Sequence, residues 1–380
     1  MIWGLLAAHP FGGMTWQVLH YLVGLRRMGF DVWYVEDRIN EVIPTDPWDQ
    51  EYRFDLNVEF AARRLSDVGL QDRWMIRDPV ETSIYYGSTE QELARLYETA
   101  DMTLNVTGSY VMDSSQHDLK GLIYIETDPV LNQIWIAQGV QWIIDELAAY
   151  DVLFTYGENI GSPDCLVPVE RFTWQTTRPP VIIDWWAGHS VETPRITTVA
   201  SWTQAEKDIE WEGEVYRWSK YEEFLRFIDL PSRSPLPLEL CLTKISTEDT
   251  AKLESRGWEI TSAADVWDPE LYRAYVAGSL GEFTVAKDQY VRFNTGWFSD
   301  RSACYLAAGR PVVTQDTGFP RYIESGQGLL PFSTVDEASG ALASVADAYE
   351  SHSGAATEIA AEYFSHERVL EDMLQKAGLA

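Results

Sequence analysis

Little in this 380-residue chain is basic: 29 Lys and Arg stand against 59 Asp and Glu, a formal net charge of −30. Such a surface repels phosphate backbones and anionic bilayers, so nucleic acid is not an expected partner. A basic cleft can still hold one small dianion, because cations beside a ligand outweigh distant, screened carboxylates. Cysteine is scarce as well. Cys165, Cys241 and Cys304 are odd in number and widely spaced, which argues against a disulfide framework and for a reducing, cytoplasmic setting. No apolar run approaches the roughly 18 residues that a membrane helix needs. The apolar start at 1–8 lacks a basic leader and runs into His9-Pro-Phe-Gly-Gly13, so it reads as a first strand and not as a signal peptide. There is no Asp-x-Asp triplet and no His/Cys cluster at ligand spacing, which leaves metal chemistry without support. The absence of a Gly-x-Ser-x-Gly elbow and of a Walker loop argues against a serine hydrolase and an NTPase.

What is present is apolar and aromatic material, 46% and 13% of residues, enough for a sizeable core in two domains. Residues 2–8 form a strand, Gly12-Gly13 a turn, 15–28 a helix stopped by Gly29, and 31–35 the next strand. This βαβ opening begins a doubly wound α/β domain. Strands at 102–106, 122–125 and 152–155 end in Thr107-Gly-Ser109, Glu126-Thr-Asp128 and Gly157-Glu-Asn159, so one sheet edge carries polar chemistry. The pattern breaks between Arg178-Pro-Pro180 and Pro194. The expected division is a first domain at 1–178, a linker at 179–195, a second domain at 196–362 and a terminal helix at 363–380.

The most informative stretch is 281–332. Residues 283–286 read as a buried strand delivering Lys287 to a sheet edge. Ser299 is a good N-cap, Ala303, Leu306 and Ala307 have helical spacing, and Gly309 is placed to end the helix in a left-handed conformation. Upstream, Asp268-Pro269 caps a helix with Leu271, Tyr275 and Val276 inward. A helix N-terminus beside the carboxyl ends of parallel strands is where phosphates bind. The same pattern also describes an ordinary αβ unit with a capped helix.

Gly296-Trp-Phe-Ser-Asp-Arg-Ser302, Leu306-Ala-Ala-Gly-Arg-Pro-Val-Val313, Gln315-Asp-Thr-Gly318, Gly326-Gln-Gly-Leu-Leu330 and Asp336-Glu-Ala338 resemble the donor half of bacterial GT-B glycosyltransferases with a group 1-like C-terminal domain. The resemblance implies two Rossmann-like domains facing a central cleft, with the terminal helix packing back on the first. It implies metal-independent transfer of a sugar from a nucleotide diphosphate-sugar, UDP- or dTDP-linked, to a hydroxyl of a small or lipid-like acceptor. No tightly bound cofactor is implied, and a homodimer is compatible with it. Nucleotide-sugar epimerases and catalytically silent proteins share the scaffold, so fold alone leaves them open.

Transfer needs a stabilised diphosphate and a base for the acceptor. Around the diphosphate the expected groups are Lys287, Thr295, Gly296, Ser299, Asp300, Arg301, Ser302, Asp316 and Thr317, with Gly12 and Gly13 as a cleft-facing loop. For Arg301 a structural salt bridge is the alternative, and for Asp316 and Thr317 a chain turn. Asp128, His9 and Glu158 are the candidate bases, with a helix cap as the alternative for Asp128. Gly12-Gly13-Met14 lacks the full dinucleotide fingerprint, so NAD is not expected. Trp185, Trp186, Trp202 and Trp297 offer faces for a sugar or aromatic acceptor, or fill the core.

Overall fold

Short apolar runs alternating with helices build one eight-stranded sheet, a four- and a three-stranded parallel sheet and a two-stranded hairpin, as seen in a computed structural model that describes residues 1–38, 42–43, 45, 53–108, 110–112, 119–204 and 207–379. In the first, β1 (Ile2–Trp3), β2 (Tyr34–Glu36), β3 (Trp74–Arg77), β4 (Tyr85–Tyr86), β5 (Thr103–Val106), β6 (Leu122–Glu126), β7 (Val152–Thr155) and β8 (Trp174–Thr176) lie in the order 4-3-2-1-5-6-7-8. Only the β3–β4 pair is antiparallel. The order reverses between β1 and β5, which makes their carboxyl ends the place for a ligand crevice.

The strand expected at 2–8 stops at Trp3. Beyond it the N–H of Leu6 donates to the Tyr34 hydroxyl at 2.7 Å, and those of Ala7 and Ala8 to the Glu36 carboxylate at 2.6 and 3.0 Å. Side chains from β2 thus take the donors that a longer ladder would have used. Burial pushes the Glu36 carboxyl up to about 7 although these bonds favour its charged form.

The second half contains β9 (Thr193–Thr197), β10 (Val199–Ser201), a hairpin of β11 (Ile209–Trp211) and β12 (Glu214–Tyr216), then β13 (Glu239–Thr243), β14 (Glu259–Ser262), β15 (Ser279–Thr284), β16 (Val312–Gln315) and β17 (Leu329–Phe332). One parallel sheet runs 17-16-15-9 and another 10-13-14. β9 and β10 are one run interrupted at Thr198, and Ile196 also bridges Leu238, so the two behave as one doubly wound layer. Its order switches between β9/β10 and β15.

Two expectations shift here. β15 covers Ser279–Thr284, where 283–286 was expected; past Thr284 the N–H of Ala286 donates to the Gln315 side chain at 3.0 Å, so the ladder ends early. In the Pro269–Gly278 helix Asp268 accepts from the N–H groups of Glu270 and Leu271. That cap sets the phase so that Pro269, Tyr272 and Val276 are buried, while Leu271, expected inward, is 56% exposed.

The chain leaves the first sheet after β8, and Val181 donates to the Phe364 carbonyl at 2.7 Å. The His366–Lys376 helix then packs on the Gly12–Arg27 helix, where Gly24 leaves space for Leu370 and His366. Trp186 and Trp202 are fully buried and belong to the core. Among the described residues no helix is long and apolar enough to cross a membrane.

The Gly12–Arg27 helix also lies against the Pro269–Gly278 helix. Gly12 donates to the Trp267 carbonyl at 2.8 Å, and a Cβ there would sit 2.4 Å from the Cβ of Tyr272. Gly12→Ala should therefore cost about 1–3 kcal/mol by overpacking, read as a lowered denaturant midpoint; an unchanged midpoint would show that the two helices separate freely.

Candidate functional site

Three residues beyond β15, at the switch point of the second layer, Lys287 heads the short Asp288–Arg292 helix. Only 9% of Lys287 is exposed. Its Nζ donates to Asp128 Oδ1 at 2.7 Å and to the Tyr290 hydroxyl at 3.0 Å, and stands 3.2 Å from the ring centre of Trp218. Tyr290 in turn donates a short hydrogen bond to Asp128. Asp128 comes from the other half of the molecule, two residues past β6 and ahead of Pro129. The ion pair therefore spans the cleft.

Burial lowers the Lys287 ammonium to about 8, against the opposing pull of Asp128. For Asp128 the enclosing protein raises the carboxyl, but the Lys287 charge and the bonds from Lys287 and Tyr290 outweigh this and hold it below the usual range. Protein surrounds Asp128 at longer range, yet 44% of its side chain still meets the cleft solvent.

Beside this pair lies a second cationic group that the sequence reading missed. Lys220, 9% exposed, precedes the Tyr221–Arg226 helix, and its Nζ is 6.0 Å from the Trp297 ring. Burial, then the charges of Arg301 and Lys287, drive its ammonium far below the ordinary lysine range. Nothing local in the sequence distinguishes this lysine from a solvated one. Tyr290 and Trp218 were missed for the same reason.

Arg301 takes the structural alternative. Its Nε donates to Glu282 at 2.6 Å, Nη1 to the Val199 carbonyl at 2.7 Å and Nη2 to the Thr284 hydroxyl at 2.9 Å. Glu282 is wholly buried in β15 and also accepts from Thr198 at 3.1 Å. Burial opposes the Arg301 charge, but Glu282 outweighs it and raises the guanidinium further. Among the described residues Glu282 Oε2 and Ser302 Oγ are buried without a hydrogen-bond partner.

The remaining candidates divide between the cleft and its framework. Ser299 occupies the N-cap position of the Asp300–Ala307 helix, but its side chain makes no capping bond, and Gly309 has the expected left-handed φ of 70°. Asp300 and Arg301 line one small cavity with Gly13, and burial raises the Asp300 carboxyl. Thr295 is buried, with its hydroxyl on the Tyr290 carbonyl at 3.3 Å. Gly296 donates to the Thr317 carbonyl at 2.6 Å, and the Thr317 hydroxyl to the Trp297 carbonyl at 2.6 Å. Asp316 accepts from Gly318 at 2.7 Å, as a turn residue does.

Gly12 meets Tyr272, as described above, so its close approach is to protein. Glu158 forms a two-pronged pair with Arg178 at 2.5 and 2.8 Å. His9 lies ahead of the first helix with its ring 6.3 Å from that of Phe11. Thr107 has a left-handed φ of 68° and turns the chain; Ser109 lies outside the described residues. Among the described residues no group of three or more His, Cys, Asp or Glu is placed to hold a metal.

Two doubly wound halves joined across a cleft in this way define the GT-B fold. The chain is similar over 97% of its length to AviGT4, a glycosyltransferase involved in avilamycin A biosynthesis, covering 91% of that chain with a TM-score of 0.53 at 14% identity. HepE from Anabaena, crystallised with UDP and glucose, matches over 100% of this chain and 99% of its own, with a TM-score of 0.55 at 10% identity. Sucrose-phosphate synthase from Thermosynechococcus elongatus matches over 99% and 97%, with a TM-score of 0.55 at 10% identity. No family model and no curated protein sequence matches the chain.

The two cations should behave differently when removed. Arg301→Ala leaves Glu282 buried and unpaired and should destabilise the protein by about 3–5 kcal/mol. Lys287→Ala leaves only a half-exposed carboxylate and should cost about 0–1 kcal/mol. Urea denaturation of both variants checks this; equal costs would contradict the division of roles.

Proposed function

We propose that this protein is a GT-B glycosyltransferase that moves a sugar from a nucleotide diphosphate-sugar to an acceptor hydroxyl without a metal ion. The observation that carries the reading is the cross-cleft site itself: Lys287 and Lys220 near the switch point of the second half, opposite Asp128 from the first. The two ammonium groups offset charge on the departing diphosphate, with Ser299, Asp300 and Ser302 at the helix start beside it. As the bond from the sugar carbon to the diphosphate oxygen breaks, its electron pair leaves with the phosphate. The acceptor oxygen bonds to that carbon and its proton passes to Asp128.

In this reading residues 1–178 present the acceptor and 196–362 the donor, with 179–195 as linker and 363–380 as the returning helix. His9 and Glu158 rank behind Asp128: Glu158 is already committed to Arg178. The acceptor is a small or lipid-like hydroxyl compound, and the donor base is uracil or thymine, a choice to which the UDP bound by HepE lends support. The acidic surface and three free cysteines fit a cytoplasmic enzyme.

One observation favours a catalytically silent GT-B protein instead: Lys287 and Arg301 are already satisfied by protein partners. Thermal shift and calorimetry with UDP, dTDP, GDP, ADP and CMP in EDTA separate the two. A diphosphate at 100 times its dissociation constant should raise stability by about 2.7 kcal/mol. No response to any nucleotide would favour the silent protein. Asp128→Asn should retain donor binding and lower turnover by about 10²–10⁴-fold; normal turnover would remove Asp128 as the base.

A further inference from the structure

We propose that the Asp128 carboxylate is a stand-in for the donor's phosphate, holding Lys287 whenever no donor is bound and released as a base only when the diphosphate takes its place. The inference rests on the donor site proposed above and goes beyond it by coupling the two halves of the reaction.

To stay charged, a lysine with 9% exposure needs an anion whether or not substrate is bound. In the present structure the anion is Asp128, 159 residues away and from the opposite half. Lys287 itself has little reason to move. Trp218 lies 3.2 Å beneath its ammonium, Tyr290 is 3.0 Å away, and both belong to the same half as the lysine. Asp128, with 44% of its side chain in the cleft solvent, is the mobile party. Exchange of anions at a fixed cation is therefore the low-cost route.

Further contacts join the two halves around this pair. On one side Trp297 donates to the Thr127 carbonyl at 2.8 Å and Asn159 to the Thr295 carbonyl at 2.9 Å. On the other Trp16 donates to the Pro269 carbonyl at 2.8 Å. Halves held this closely bring the buried Lys287 ammonium against the opposite half, and Asp128 supplies its counter-charge.

The consequence is an order of events. While paired with Lys287, Asp128 has both its charge and one oxygen engaged, so it is a weak proton acceptor. Once the diphosphate holds Lys287, the carboxylate loses its cation beside a new anion, and its affinity for a proton rises. An acceptor then meets an active base only when donor is already loaded. By linkage, the strength of the pair is subtracted from donor affinity.

Calorimetric titration of UDP and dTDP into the full-length wild type, Asp128→Asn and Asp128→Ala tests this directly, with unfolding midpoints to confirm that each variant is native. Both variants should bind the diphosphate tighter than wild type, on the order of tenfold, because a competing close charge pair has been removed. Affinity unchanged or weaker in both variants, with wild type still binding, would overturn the exchange while leaving the glycosyltransferase reading intact. Failure of all three forms to bind either diphosphate would overturn the exchange together with the uracil or thymine donor.

Discussion

An ammonium group enclosed between two protein layers cannot remain charged without an anion, and in this fold the anion for Lys287 comes from the other layer. Much of the cleft follows from that requirement. Tyr290 is positioned to bridge cation and carboxylate, and Trp218 supplies a π-face on the side that no oxygen occupies. Trp297 closes the same corner by donating to the carbonyl of Thr127, the residue before Asp128. The ion pair thus bridges two independently wound halves at one point of the cleft.

The nearby Arg301–Glu282 pair illustrates a different use of charge. It lies within one half, is more deeply buried, and ties the start of the Asp300–Ala307 helix to β15 and to the carbonyl of Val199 in β10. Those are the strands on either side of the switch point. A cation so fully used stabilises the frame that aims its neighbours, and it contributes little net charge because Glu282 cancels it. The positive field in this corner is consequently that of Lys220 and Lys287, with Lys207 above Trp218 beside them. A chain of net charge −30 can sustain this locally because solvent and salt screen the distant surface carboxylates.

What the sequence made legible was local. The α/β alternation, the strand that leads to Lys287, the Asp268-Pro269 cap and the left-handed Gly309 all depend on residues within one turn or one strand of each other. What it hid was set by distance along the chain. Asp128 was identifiable as a strand-end carboxylate, but not as the partner of a lysine 159 positions away. Gly12 promised close backbone approach, and the approaching group proved to be Tyr272. Arg301 could not be told from a phosphate ligand until Glu282 was seen to be fully buried, since an exposed glutamate would have left the guanidinium free. Lys220 follows the hairpin excursion at 209–216, where the doubly wound pattern is interrupted, and only the folded arrangement brings it back beside the switch point.

Charge conservation gives the site its chemical logic under the proposed reaction. Lys220 is disfavoured as an ammonium by burial and by the cations around it. A diphosphate supplies the missing counter-charge, so its arrival stabilises protons on both lysines while it displaces Asp128. During transfer the departing phosphate gains one negative charge and Asp128 gains the acceptor's proton. The total in the cleft therefore does not change as the bonds exchange, and a low-dielectric, closed site can hold the transition state without drawing on outside solvent. The same balance explains why a lone carboxylate suffices: it begins as the counter-ion and ends as the proton carrier, two tasks that never fall at the same moment.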